Sequence, residues 1–137
     1  MKHRPLLAEY GRFHEDGRNR VCHEIGIPLI VLAVDALLRL VRVGPLDLAF
    51  VVIVGVALYY ARLAGRDASA AVFGLFALYF LAGYVSWPFA IGAFVIGWLF
   101  QIVGHAYEGK RPAFLENLQH LLVGPLWIGV MLTSKRA

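Results

Sequence analysis

The chain has 137 residues, of which 60% are apolar and only 16% are charged, and its formal net charge is +4. A soluble domain has about a quarter of its residues charged, so too little polar surface is present here to coat a water-soluble globule. The single cysteine, Cys22, cannot form an internal disulfide, which excludes a disulfide-stapled scaffold. On so apolar a chain, the positive charge indicates contact with anionic lipid headgroups and not with nucleic acid.

The chain is predicted to form one membrane domain, residues 1–137. Residues 1–24 are charged almost throughout and predict a cytosolic or interfacial helical segment, whereas residues 25–132 consist of apolar runs separated by short polar stretches. The five runs are residues 25–41, 46–63, 68–86, 89–104 and 118–132. A transmembrane helix needs roughly 17 to 25 residues, so these are short spans, and the first and fifth fit least well. We therefore expect an all-α membrane bundle of four to five short transmembrane helices; a soluble five-helix bundle would need more charge.

The basic residues are unequally divided between the two sides of such a bundle. If the N-terminus is on side A, that side holds Lys2, Arg4, Arg12, Arg18, Arg20, Arg62, Arg66, Lys110 and Arg111. Side B then holds Arg39, Arg42, Lys135 and Arg136. The positive-inside rule predicts that side A, with the N-terminus, is cytoplasmic.

Four of the five histidines fall on side A in this topology: His14, His23, His105 and His120. Nothing in the hydropathy pattern requires this shared level. Histidine is the commonest protein ligand of transition metals, and ionisable groups at membrane depth are functional candidates. The four residues therefore predict a metal site on the cytoplasmic face. The alternative is that each histidine is an interface residue bonded to a neighbour.

The spacing of the N-terminal pair requires a break in the chain. On one continuous helix, His14 and His23 would be separated by roughly 180° and 13 Å. Gly17 lies between them and offers a position where the chain can fold back. Tyr10 precedes His14 by four residues and Asn19 precedes His23 by four, so each pair would share a helix face.

The C-terminal candidates form a polar stripe at the end of an apolar helix. Gln101 is four residues before His105, and Glu108 is three residues after it. Such neighbours can hold a ligand ring in orientation, and Glu108 can also bind a metal itself. The alternatives are an interhelical hydrogen bond for Gln101 and an aromatic membrane anchor for Tyr10.

These motifs resemble those of a small membrane-protein family, the one typified by the yeast membrane dioxygenase of phytosphingosine breakdown. The matching residues are Tyr10, His14, Asn19, His23, Gly26 and Pro28, then Trp98, Gln101, Gly104, His105, Glu108 and Pro112, and the stretch LQHLLVGP at 118–125. The resemblance implies an Fe(II)-dependent dioxygenase that shortens a 2-hydroxy fatty acid by one carbon, in a member from a bacterial inner membrane. It places His14, His23 and His105 on motif positions, with Tyr10, Asn19, Gln101 and Glu108 as supporting residues.

The implied chemistry leaves the size of the ligand set open. A 2-hydroxy acid can bind iron through a carboxylate and a hydroxyl oxygen, and dioxygen needs a further position. Three histidines leave three positions of an octahedral ion free, whereas four leave two, which makes His120 the least certain ligand. The acyl tail would lie between the spans. The carboxylate would lie near a basic residue of side A, with Arg18, Arg20, Lys110 and Arg111 as the candidates.

Two other classes of protein remain possible from the sequence. In a haem protein, two of the histidines would be axial ligands, although four are more than haem requires. In a small channel or assembly factor, the polar residues would form a stripe through the membrane. Here they collect at one face, which favours a surface site.

Overall fold

The computed structural model describes residues 3–115, 117 and 119–134. The helices are α1 (His3–Gly11), α2 (Gly17–Leu38), α3 (Leu48–Ala64), α4 (Ser69–Ala82), α5 (Trp87–Glu108) and α6 (His120–Ser134). Two short antiparallel strands, β1 (Arg42–Val43) and β2 (Leu46–Asp47), join α2 to α3, and 3-10 turns occupy Gly65–Ala68 and Ala113–Leu115. The predicted all-α membrane bundle is therefore confirmed.

The α2–α5 pair makes the most extensive helix contact of the bundle. A Cβ atom on Gly97 would lie 2.6 Å from Cγ1 of Ile30 and 2.9 Å from the carbonyl oxygen of Gly26. A Cβ on Gly104 would collide with the side-chain oxygen of Asn19. Small residues allow backbones to approach in this way, which is typical of helices packed in lipid.

The middle of the chain folds as a helical hairpin. Three helical stretches are long and apolar enough to cross a membrane: Gly17–Leu38, Leu48–Ala82 and Trp87–Glu108. The second stretch comprises α3 and α4, and the chain reverses direction at the 3-10 turn between them. Tyr79 near the end of α4 accordingly donates from Oη to Oδ2 of Asp47 at the start of α3, over 2.7 Å. Four helices, α2 to α5, therefore traverse the bundle, in agreement with the first four predicted runs.

Of the four to five predicted spans, the fifth run, one of the two that fit a span least well, does not cross the bundle. The start of α6 contacts Tyr10 in α1 through His120, and its end, at Thr133, borders a cavity with His3 and Asp67. Asp67 belongs to the α3–α4 turn, which lies on side A with the α1–α2 turn. Both ends of α6 therefore lie on side A. Its residues are apolar because they pack on α1 and on the side A ends of α3 and α4, with Val123 and Leu126 fully buried.

The break between His14 and His23 is present but does not lie at Gly17. Residues 12–16 form the turn, and Gly17 is already the first residue of α2. The carboxylate of Asp16 accepts from the backbone N–H of Arg18 over 2.8 Å, which caps the helix. The start of the fifth run at residue 118 and the basic residues Lys2, Lys135 and Arg136 lie outside the described part of the chain.

The α2–α5 contact predicts a sharp difference between two glycines of one helix. Gly97→Ala should destabilise the protein by roughly 1–3 kcal/mol, because the added methyl group overpacks the contact with α2. Gly92 has no atom within 4 Å of a built Cβ, so Gly92→Ala should leave stability unchanged or raise it slightly. Thermal unfolding in detergent compares them; equal melting temperatures would contradict the close α2–α5 packing.

Candidate metal centre

Three histidines converge at the side A end of α2 and α5. They are His14 in the α1–α2 turn, His23 in α2 and His105 in α5, and one ligand atom from each lies within 4.8 Å of the others. The ring centroids are 4.2 Å apart for His14 and His23, 5.1 Å for His14 and His105, and 4.8 Å for His23 and His105. All three side chains are buried. In the described part of the chain, no other group of three histidine, cysteine or acidic residues has metal-site geometry.

Backbone carbonyl groups set the orientation of two of the rings. Nδ1 of His14 bonds to the carbonyl oxygen of Tyr10 over 2.7 Å, and Nδ1 of His23 bonds to that of Asn19 over 2.9 Å. Because a carbonyl oxygen only accepts, Nδ1 carries the proton in each ring and Nε2 keeps its lone pair. The four-residue spacing in the sequence thus acts through the main chain of Tyr10 and Asn19.

The cluster is suited to a cation because it is neutral and incompletely bonded. Burial lowers the pKa of His14 to about 4, so the ring is uncharged near neutral pH. Nε2 of His14 and Nδ1 of His105 are buried and have no hydrogen-bond partner in the protein. Buried polar atoms in folded proteins are nearly always satisfied, and a bound metal ion would satisfy these. Imidazole ligands suit iron, zinc, copper and nickel, so the donors fit a transition metal.

His120 lines the same cavity as the three histidines but is not part of their cluster. Its Nδ1 donates to the carbonyl oxygen of Ala113 over 3.0 Å, while its buried Nε2 lies 3.9 Å from the carboxylate of Glu9 and makes no hydrogen bond. The ring of Tyr10 stacks on His14 at 4.2 Å and meets the edge of His120 at 5.8 Å. The structure therefore brings together three of the four histidines and places the fourth beyond Tyr10.

Glu108 fastens the turn that carries His14. Its carboxylate accepts from the backbone N–H groups of Glu15 at 2.9 Å and Asp16 at 2.8 Å, and from Nδ2 of Asn19 at 3.1 Å. Asn19, fully buried, also donates to the carbonyl oxygen of Phe13 over 2.9 Å. Because Glu108 lies one turn after His105 on α5, these bonds join the helix of one ring to the turn of another.

Gln101 and Tyr10 line the same cavity as the histidines. Gln101 lies one helical turn before His105, is 8% exposed, and has no hydrogen-bond partner at Nε2. Tyr10 is 5% exposed, so the alternative of a membrane anchor is wrong for it. Burial raises the pKa of the Tyr10 phenol, which therefore stays protonated. Both side chains can contact a molecule bound in the cavity.

The predicted headgroup cations lie outside the cavity. Arg18 pairs with Asp16 over 2.9 Å and stacks on Tyr107, while Lys110 donates to the carbonyl oxygen of Arg12. Arg20 donates from Nε to the carbonyl oxygen of His14 over 2.6 Å and so supports the turn. No lysine or arginine is found among the described residues that line the cavity, so the fourth candidate, Arg111, is not part of the lining either. Sequence reasoning also missed Trp127, whose ring lies 5.2 Å from His14.

Comparisons with known proteins agree with this geometry. A family profile described as 2-hydroxy-palmitic acid dioxygenase Mpo1-like matches residues 2–136. The chain belongs to the Mpo1-like family. It is 32% identical, over 133 aligned positions, to the 2-hydroxy-palmitic acid dioxygenase MPO1 of Saccharomyces cerevisiae, covering 91% of this chain and 76% of the yeast protein. No solved structure matches. The Mpo1-like resemblance inferred from the two ends of the chain is thus confirmed, and it extends through the apolar middle.

The bonds of Glu108 predict a graded effect of its replacement. Glu108→Ala should weaken binding of a divalent metal ion by about 10- to 100-fold, because the turn carrying His14 loses its support. Glu108→Gln retains one acceptor oxygen and should keep the metal. The control is Glu15→Gln, since the side chain of Glu15 is exposed. Metal titration of the folded variants measures this; complete loss of metal in Glu108→Gln would make Glu108 a ligand.

Proposed function

We propose that this protein is an Fe(II)-dependent membrane dioxygenase that converts 2-hydroxy fatty acids to acids one carbon shorter. The observation that carries the proposal is a cluster of three buried histidines at the polar end of an otherwise apolar cavity. Membership of the Mpo1-like family, and the substrate named for its yeast relative, supply the substrate class. Iron is favoured over other metals because the reaction consumes dioxygen.

The reaction balances without an added reductant. The acid R–CH(OH)–COOH and O₂ give R–COOH, CO₂ and water, so the bond between carbons 1 and 2 breaks and carbon 2 becomes the new carboxyl carbon. The hydroxy acid supplies all four electrons that dioxygen takes up. The cavity therefore needs to hold only the acid and dioxygen, and no binding site for a nicotinamide or flavin is required.

The ligand set of this proposal is His14, His23 and His105. Bound iron would supply the positions at which a hydroxy acid chelates and dioxygen is activated, and three protein ligands leave room for both. Nε2 of His120, outside the cluster, is available to hydrogen-bond the substrate. Gln101 can do the same from α5. In the absence of a lysine or arginine in the described lining of the cavity, these two groups orient the carboxylate and hydroxyl oxygens.

The cavity argues against the haem alternative. Its volume is about 100 Å³. A cavity of roughly 150 Å³ in another protein holds a benzene molecule, so this one has no room for a porphyrin. The close approach of three rings is also more than a bis-histidine haem requires.

The proposed orientation places the metal centre on the cytoplasmic face of a bacterial inner membrane. The described basic residues of side A outnumber those of side B, which are Arg39 and Arg42 at the end of α2 and in β1. Cytoplasmic loops carry such an excess of basic residues. The polar turn, the histidines and Glu108 all lie on side A.

The ligand set predicts which histidines hold iron. The purified protein should contain about one iron ion per chain, and His14→Ala, His23→Ala and His105→Ala should each lose it, because no neighbouring side chain replaces an imidazole. His120→Ala should retain iron and lose turnover. His3→Ala is the control, since His3 is buried but pairs with Asp67 over 3.1 Å at the far end of α1. Iron content of the folded variants decides this; retention of iron by His105→Ala would refute the site.

The orientation predicts the accessibility of two introduced cysteines. Tyr84 lies between α4 and α5 on side B and is 92% exposed, whereas the exposed Glu15 lies in the α1–α2 turn on side A. Tyr84→Cys should react with a membrane-impermeant thiol reagent in intact cells, and Glu15→Cys should react only after lysis. The native Cys22 is buried and should give little background. The reverse labelling pattern would show that the metal centre faces outward.

A further inference from the structure

We propose that the substrate's acyl tail leaves the metal centre through a lateral cleft between α5 and α6 and lies in the surrounding lipid. The cleft is floored by α2 and has the Trp98–Phe114 ring pair at its mouth. This inference rests on the proposed function, because it concerns the tail of the same substrate. The enzyme would then select its substrate by the 2-hydroxy acid head and not by the length of the tail.

The cavity runs from the histidines toward the membrane interior. On α2 it extends from His23 to Val31, which is eight residues or about 12 Å along the axis. On α5 it extends from His105 back to Trp98, which is seven residues or about 10 Å. Its polar groups collect at the side A end, whereas its deeper lining, including Ile27 and Ile30, is apolar. A molecule with a polar head and an apolar tail matches this polarity in one orientation only.

The cavity is too small to enclose a fatty acid. Its volume of about 100 Å³ is smaller than that of an engineered cavity of roughly 150 Å³ that binds benzene. The head of a 2-hydroxy acid and the first carbons of its tail fill such a space. The remainder of a long tail must therefore lie outside the protein, and the nearest apolar medium is the lipid around the spans.

The proposed opening lies between α5 and α6, which both line the cavity. α5 packs along α2, whereas α6 packs on α1 and α4. The two helices therefore line the cavity while each is packed on different neighbouring helices. Trp98 of α5 and Phe114 of the connecting 3-10 turn meet edge to face, with ring centroids 5.6 Å apart. Leu121 of α6 lines the cavity and is also 50% exposed, which marks the rim of an opening. The rim is apolar, as an exit for a hydrocarbon chain requires.

The test blocks the rim and compares a short with a long substrate. In the iron-loaded full chain, Leu121→Trp should lower kcat/KM for 2-hydroxy-palmitic acid relative to 2-hydroxybutyric acid by about tenfold or more, because the larger ring obstructs the tail. Leu122→Trp is the matched control: Leu122 is the next residue, is 42% exposed and does not line the cavity. It should leave the ratio unchanged, as should Leu132→Trp at the far end of α6.

The possible results separate this inference from the proposed function. If wild-type protein turns over neither acid, the proposed function fails. If wild-type protein turns over both and Leu121→Trp leaves their ratio unchanged, only the cleft is refuted. A second measurement does not depend on the folding of a variant: a 2-hydroxy-palmitic acid carrying a diazirine at its terminal carbon should cross-link to phospholipid and to exposed residues of α5 and α6. Cross-links confined to buried residues of α3 and α4 would overturn the inference.

Discussion

The close packing of α2 on α5 determines where the histidine cluster can form. Glycines at positions 26, 97 and 104 let the two backbones approach closely, and this approach brings the rings of His23 and His105 to within 4.8 Å of each other. Larger residues would push the helices apart and separate the rings. The apolar packing of α2 on α5 thus fixes the distance between two of the three histidine rings of the cluster.

The third ring reaches the cluster through a polar contact. His14 lies in a short turn outside the helices, and its buried ring packs against Tyr10 and Trp127. The carboxylate of Glu108 accepts two backbone N–H groups of that turn and the amide of Asn19, so the turn is fixed to α5. Hydrogen bonds to a charged acceptor are the stronger ones, and here they hold the backbone of the turn that carries His14.

The sequence predicted the residues of the site better than their roles. The sequence predicted that the histidines lie on one side of the membrane, because the positive charges and apolar runs indicate the topology. The proximity of His14, His23 and His105 agrees with that prediction. The position of His120 outside the cluster could not be predicted from the sequence, since it depends on how α6 lies across side A. An apolar run of that length looks like a short span whether it faces lipid or covers the ends of other helices.

Other features could not be predicted because they depend on side-chain direction. The spacing of Tyr10 to His14 suggested two side chains on one helix face, and their rings do stack, but His14 lies in the turn after α1 and also bonds through Nδ1 to the carbonyl oxygen of Tyr10. Arg20 was a candidate for the substrate carboxylate, but its guanidinium supports the carbonyl of His14. Charge and spacing identify such residues without showing whether they point into the cavity or along the backbone.

X-ray absorption spectroscopy of the iron-loaded protein identifies the atoms bound to the iron. The iron should be bound by three imidazole nitrogens at about 2.0–2.2 Å, with oxygen atoms in the remaining positions. The imidazole contribution should fall by one third if a single ring is displaced, and it should be unchanged in His120→Ala. A spectrum with no imidazole scattering, or one in which His120→Ala removes an imidazole from the iron, would contradict the three-histidine centre.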